Sequence, residues 1–210
     1  MTERSCVSKS ERMIYHRNGI QYHSDTMVVI SIVSSPRKGG FGDRIARRIE
    51  EGAESVGKEV VRFDLNDMRD IRQCQNCEAC KSNGGICVIK DDIAPVIDAI
   101  RDAEGMILTT SIQFNEMNGL FKMVHDRLYC FLDMNATTIM PKGKKLATVV
   151  TASADQGSAD RVSAALEKVM HEHFFCEPVG RMAYCTWMMP KDSPIDDSVM
   201  DEAYGIGRRF

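Results

Sequence analysis

The chain has 210 residues, 43% of them hydrophobic and 27% charged, with a formal net charge of −3. That length supports one sizeable core, and the balance is that of a soluble globular domain. The acidic sign argues against nucleic acid as the main partner, and no apolar run is long enough to span a membrane.

Residues 1–26 are polar and lack the apolar core of a signal peptide; they read as an N-terminal extension to a domain of residues 27–210. Met27–Val33 is a short β-branched run, the pattern of a buried parallel strand. Ser34–Asp43 (SSPRKGGFGD) follows as a loop, by its Gly and Pro. Ile45, Ile49, Ala53 and Val56 recur at helical spacing up to Gly57. Glu59–Leu65 is a second strand and completes a βαβ unit with a right-handed crossover. A cysteine-rich loop over 69–90 comes next. Asp91 and Asp92 then fall in the first turn of a helix through Ile100, where acidic side chains suit the helix dipole. Gly105–Ser111 is a third strand, 112–117 a polar loop, and Asn118–Leu132 a helix. Leu146–Ala152 and Val179–Trp187 are the fourth and fifth strands, around a helix over Ser158–Phe174; Asp196–Arg209 is a final helix. Such alternation predicts an α/β, doubly wound parallel sheet. Ligands of these sheets bind at the carboxyl ends of the strands. The loops 34–43, 111–117 and 151–157, and the cysteine loop, should therefore share one edge.

Cys74, Cys77 and Cys80 stand at two successive C-x2-C spacings, and Cys87 follows after six residues. Soft thiolates select iron–sulfur clusters, zinc or copper(I). Three clustered cysteines with a fourth further on point to a [4Fe–4S] cluster. Zinc more often uses two separated knuckles, and free or disulfide-paired cysteines are the plainer alternative. Cys6, Cys130, Cys176 and Cys185 are scattered, which suits a reducing cytoplasm. The Ser34–Asp43 loop carries hydroxyls, glycines, Arg37 and Lys38 and opens a helix, the ingredients of an anion site. It contains neither GxxxxGK[ST] nor GxGxxG, so a single phosphate, as in FMN, is its natural guest. A plain βα turn is the alternative.

Val33–Gly39 (VSSPRKG) resembles the phosphate loop of the flavodoxin-like NADPH-dependent FMN reductases. The Cys74–Cys87 run with the following VIKDD resembles the cluster segment of the iron–sulfur flavoproteins in that superfamily. Gly119–Lys122 with Asp126-Arg127 resembles their G-x-L-K…DR helix. The resemblance implies a flavodoxin-like five-stranded sheet of order 2-1-3-4-5, FMN, and a [4Fe–4S] cluster on Cys74, Cys77, Cys80 and Cys87. It puts Ser34, Ser35, Arg37, Lys38, Gly39, Gly40, Gly42 and Asp43 at the FMN phosphate. Ser111, Ile112, Gln113, Phe114 and Asn115 fall beside the isoalloxazine ring, and Thr151, Ala152 and Ser153 on its other flank. No catalytic side chain is assigned.

Two departures stand out. Gly42-Asp43 replaces an Asn-Thr pair, so Asp43 either opposes the phosphate or turns away as the N-cap of a helix over 44–56; the cap is the favoured reading. Thr110–Phe114 lacks the Tyr of the relatives' Ser-Pro-Val-Tyr-Phe. The expected function is an iron–sulfur flavoprotein oxidoreductase, moving electrons from a ferredoxin or NAD(P)H to a small acceptor. The expected form is a cytoplasmic homodimer or homotetramer. The alternatives are an NAD(P)H-dependent FMN or quinone reductase with structural or zinc-binding cysteines, and a non-catalytic redox sensor.

Overall fold

The computed structural model describes residues 28–210, with the backbone of Tyr15–His16 and Gly19–Ile20 as a two-residue antiparallel pair. Otherwise the expected extension over 1–26, and Met27, lie outside the described residues. The main elements are β1 (Val28–Val33), α1 (Phe41–Ser55), β2 (Glu59–Asp64), α2 (Ala94–Asp102), β3 (Gly105–Gln113) and β4 (Glu116–Met117). They continue with α3 (Gly119–Arg127), β5 (Lys145–Ala152), α4 (Gln156–Phe174), β6 (Glu177–Cys185) and α5 (Asp197–Gly207).

The strands pair in the order β2-β1-β3-β5-β6, all parallel, and β4 pairs antiparallel with the end of β3. The expected order 2-1-3-4-5 thus becomes 2-1-3-5-6. The segment read as a polar loop over 112–117 folds back as a hairpin instead. Phe114 and Asn115 take φ of 47° and 67°, the left-handed pair that a two-residue hairpin turn requires.

β1 is buried along its whole length. Its side chains alternate between faces: Ile30 and Ile32 enter a core with α2, α3 and α4, and Val29 enters another with α1 and α5. The two-sided burial explains why this strand reads as an unbroken apolar run. At Gly52 an added Cβ would lie 2.2 Å from the Tyr204 carbonyl oxygen, and at Gly207 2.0 Å from that of Ile49. These glycines let α1 and α5 meet backbone to backbone.

Several element ends differ by a few residues, and two of the shifts bear on the cysteine loop. α3 ends at Arg127, and Leu128–Phe131 tightens into a 3-10 turn. α2 begins at Ala94, so Asp91 and Asp92 precede it. Their carboxylates bind loop backbone: Asp92 accepts from the N–H groups of Arg69 (2.7 Å) and Asp70 (3.0 Å), and Asp91 from that of Arg72 (2.9 Å). Among the described residues, no helix is long and apolar enough to cross a membrane.

Candidate functional site

The carboxyl ends of β1, β3 and β5 open into one cleft, at the edge of the sheet where ligands of such folds bind. Ser35, Arg37, Gly42, Ser111, Ile112, Gln113, Thr151, Ala152 and Ser153 line it, with Pro36, Phe41 and Thr186 completing the wall. Three of the loops expected at one edge do meet there. The cysteine loop contributes nothing to this lining.

The N-terminus of α1 is at the cleft, and its end is open: Gly40 precedes the helix and no side chain caps it. The first N–H groups of a helix have no partner inside it. By contrast, Asn118 closes α3 by accepting from Phe121 N–H at 3.1 Å, and Asp155 closes α4 by accepting from Ser158 N–H at 2.8 Å. Gly39 sits at φ +73°, and a Cβ at Gly40 would come within 3.0 Å of the Arg37 carbonyl oxygen. The turn therefore favours glycine at 39 for its backbone angle and leaves little room for a side chain at 40. Arg37 is exposed at the rim. Unpaired helix N–H groups beside an exposed cation are the ingredients of an anion site.

The other expected residues are placed differently. Ser34 is buried beneath the cleft, where its hydroxyl donates to the Thr109 carbonyl at 3.0 Å. Lys38 points away and pairs with Asp67 at 2.7 Å. Phe114 and Asn115 form the tip of the β3–β4 hairpin; the Phe114 side chain is 99% exposed. The Asn115 amide oxygen accepts from Ser158 Oγ at 3.3 Å and Arg161 at 3.2 Å, which moors the tip to α4. Asp43 is not an N-cap. It is the third residue of α1, only 2% exposed, and its carboxylate accepts from Gly39 N–H at 2.8 Å and from Arg62.

Sequence reasoning placed Asn118 only as the first residue of a helix. Its amide also donates to the Ser34 carbonyl (2.7 Å), the Ser34 hydroxyl (3.0 Å) and the Ser111 hydroxyl (3.1 Å). One side chain thus ties the loop after β1 to the end of β3. Asn66 donates to the Ser35 carbonyl at 2.6 Å from the other side. An Asn before an apolar helix signals a cap, but nothing in the spacing signals the second role.

Cys74, Cys77, Cys80 and Cys87 line a second, small cavity with Arg127, Tyr129 and Cys130. Arg127 closes its neck: the guanidinium donates to Asp91 at 2.8 Å, to the Arg72 carbonyl at 3.0 Å and to the Ile89 carbonyl at 3.3 Å. Lys81 donates to the carbonyls of Tyr129 (2.6 Å) and Leu132 (2.5 Å), fastening the loop to the turn after α3. Arg127 Nε is buried with no hydrogen-bond partner among the described residues. Cys130 was not among the expected ligands. Burial pushes its thiol up to about 12, so it packs the wall as a protonated thiol. Burial raises the Cys80 thiol as well. Among the described residues, no three His, Cys, Asp or Glu side chains are gathered as a single-ion site.

A family model described as NADPH-dependent FMN reductase matches residues 27–185. No curated protein matches the sequence. Among solved structures, a flavone reductase is 19% identical with a TM-score of 0.63; the match covers 87% of this chain and 61% of that one. An NAD(P)H:quinone oxidoreductase from Methanothermobacter marburgensis is 15% identical, with a TM-score of 0.53 and 88% and 94% covered. An FMN-dependent NADH-azoreductase from Bacillus anthracis, solved in complex with FMN, is 10% identical, with a TM-score of 0.60 and 87% and 96% covered. At these identities the likeness is one of fold. The family match is broader evidence, since it runs from β1 to the end of β6 and takes in all three loops of the cleft: the chain belongs to the NADPH-dependent FMN reductase family and is a flavin-dependent oxidoreductase.

Proposed function

We propose that the protein is an NAD(P)H-dependent reductase that holds FMN in the cleft and delivers electrons to a small oxidised acceptor. The observation that carries this reading is the open N-terminus of α1, the one helix end at the cleft left without a side-chain cap and set beside Arg37. A phosphate there takes the hydrogen bonds and the dipole that Asn118 and Asp155 satisfy elsewhere. Arg37 pairs with the phosphate, Ser35 offers a hydroxyl, and Gly39 and Gly40 hold the turn open. Residues 111–113 and 151–153 flank the flavin ring. Bound FMN supplies hydride chemistry toward the nicotinamide and electron delivery to the acceptor. The structural relatives named for quinone and flavone reduction share planar, conjugated acceptors, and such a ring is the substrate class we assign here.

The test is reconstitution with FMN, followed by NADPH and NADH oxidation with benzoquinone as acceptor. Stoichiometric flavin released on heating, and quinone-dependent turnover, are the expected results. A chain that neither retains FMN nor oxidises NAD(P)H overturns the reading and favours a non-catalytic sensor. Light scattering on the eluting protein tests the homodimer or homotetramer.

A second reading adds a [4Fe–4S] cluster with a ferredoxin as partner. One observation favours it: four thiols line a single cavity with Arg127, whose buried Nε has no hydrogen-bond partner among the described residues. Buried donors ordinarily find an acceptor, and a thiolate-bound cluster is rich in sulfur acceptors. Cys74, Cys77, Cys80 and Cys87 would hold it, and it would supply one-electron transfer. Iron and acid-labile sulfide are quantified after anaerobic purification. Neither element in the pure chain, or zinc alone, sinks this reading and leaves the first intact.

A further inference from the structure

Asp43 presents a problem for the FMN reading, on which this inference rests. Its carboxylate is buried in the first turn of α1, beside the backbone groups assigned to the phosphate. Two anions at one helix end repel, and burial strengthens the repulsion.

Arg62, on β2, reaches across to α1. One arm of its guanidinium binds Asp43 and the other binds Glu50, whose carboxylate also accepts from the Ser31 hydroxyl. The Arg62 side chain is 17% exposed, and those of Asp43 and Glu50 are 2% and 12% exposed. Arg47 touches Asp43 too, at 3.3 Å, but it is half exposed and more weakly held. Asp43 is absent from the cleft lining, whereas its neighbour Gly42 is present. The carboxylate also accepts from Gly39 N–H at 2.8 Å and so fixes the left-handed corner of the turn.

We propose that Arg62 is the positioning residue of the phosphate loop. It neutralises Asp43 and holds that carboxylate inward, where it braces Gly39 instead of opposing the phosphate. Arg62 touches no flavin atom in this scheme. The pairing explains how the chain carries an acid at this position and keeps an anion site: the compensating cation comes from the neighbouring strand, outside the loop itself.

The experiment measures FMN and riboflavin affinity for the full chain and for Arg62→Met, Arg62→Lys, and Arg62→Met combined with Asp43→Asn. A purely structural role moves both flavins together; a role at the phosphate moves FMN alone. Arg62→Met should weaken FMN by roughly tenfold or more, the scale of one lost charge-assisted contact, with riboflavin nearly unchanged. Arg62→Lys keeps a cation but loses the two-armed grip, so it should fall between. The double variant also removes the Asp43 charge, leaving Glu50 as the one acid that has lost Arg62; because Asp43 is the acid beside the phosphate loop, FMN preference should return toward that of the original chain. It also serves where Arg62→Met alone folds poorly. Equal losses for both flavins, or no recovery in the double variant, overturns the proposal. An unmodified chain that shows no preference for FMN over riboflavin overturns the FMN reading itself, and the proposal with it.

Discussion

The cleft and the thiol cavity use different means to hold their shape. Around the cleft, regular elements do the work: three strand ends deliver the lining, and neutral amides, Asn118 and Asn66, tie the loops together. The cysteine loop has only a short 3-10 turn of its own. Its shape comes from charged groups at its neck, where Asp91, Asp92 and Arg127 bind the backbone before and after the cysteines. A sheet edge keeps its form without its ligand. A loop held by a few charged groups, of which Asp91 and Arg127 are buried, is more sensitive to the loss of any one of them.

The sharpest way to test the contrast is to remove one thiol. Cys77 is exposed, so Cys77→Ala costs little packing. Under the cluster reading it should abolish iron and sulfide content, yet leave FMN binding in place. Loss of both cofactors from this single change would mean that the two sites are one structural unit. Full metal content in the variant would remove Cys77 from the ligand set.

The next largest effect concerns the neck. The side chains of Arg127 and Asp91 are both fully buried. Arg127→Met leaves the buried Asp91 carboxylate with its backbone donors but without its counter-ion, a change that costs on the order of 3–5 kcal/mol. Urea unfolding should show that loss, and proteolysis should cut first within residues 73–88. A loss below about 1 kcal/mol, the size of a surface pair, would show that the neck is held by its backbone alone.

At the cleft, single losses should be smaller and ligand-specific. Arg37→Ala should weaken FMN by about ten- to a hundredfold, matching a charge-assisted contact of roughly 1.5–3 kcal/mol. Riboflavin should be indifferent, and unfolding of the free chain should barely change, because Arg37 is exposed. Equal weakening of both flavins would place Arg37 away from the phosphate.

Legibility in the sequence followed the same divide. Strand β1, its glycine-rich loop and the alternation into a doubly wound sheet were readable because each is a local pattern: an apolar run, turn residues, a helical period. The four cysteines were readable as a group from spacing alone, and the structure brings them to one cavity. What escaped were contacts between distant residues. Asn118 bonds to Ser34 across 84 positions, and Arg62 on β2 reaches Asp43 on α1. Asp43 was misread as a cap because an acid near a helix start has two options. It bonds its own helix N–H groups, or it reaches back to the preceding turn, and here a cation from outside selects the second. The 112–117 hairpin escaped because Phe is rare at positive φ, whereas the following Asn is not.

The smallest effect compares two helix ends that face the same end of the sheet. If α1 is open because a ligand completes it, α4 is its closed counterpart, with Asp155 as the cap. The Ser158 hydroxyl, with the Ser158 backbone N–H, holds the Asp155 carboxyl below the usual carboxylate range. A depressed carboxyl contributes stability that is present above its unfolded value, about 3.9, and is lost as pH falls through the folded value. Asp155→Asn keeps an acceptor for the Ser158 N–H but removes the charge and the titration. The variant should therefore melt below the original chain at neutral pH, and the gap should close as pH drops below about 4. Melting temperature against pH for both chains is the measurement. A gap that stays constant from neutral to acid pH would show that Asp155 acts through shape and not charge. The contrast between a ligand-completed α1 and a charge-completed α4 would then rest on the phosphate alone.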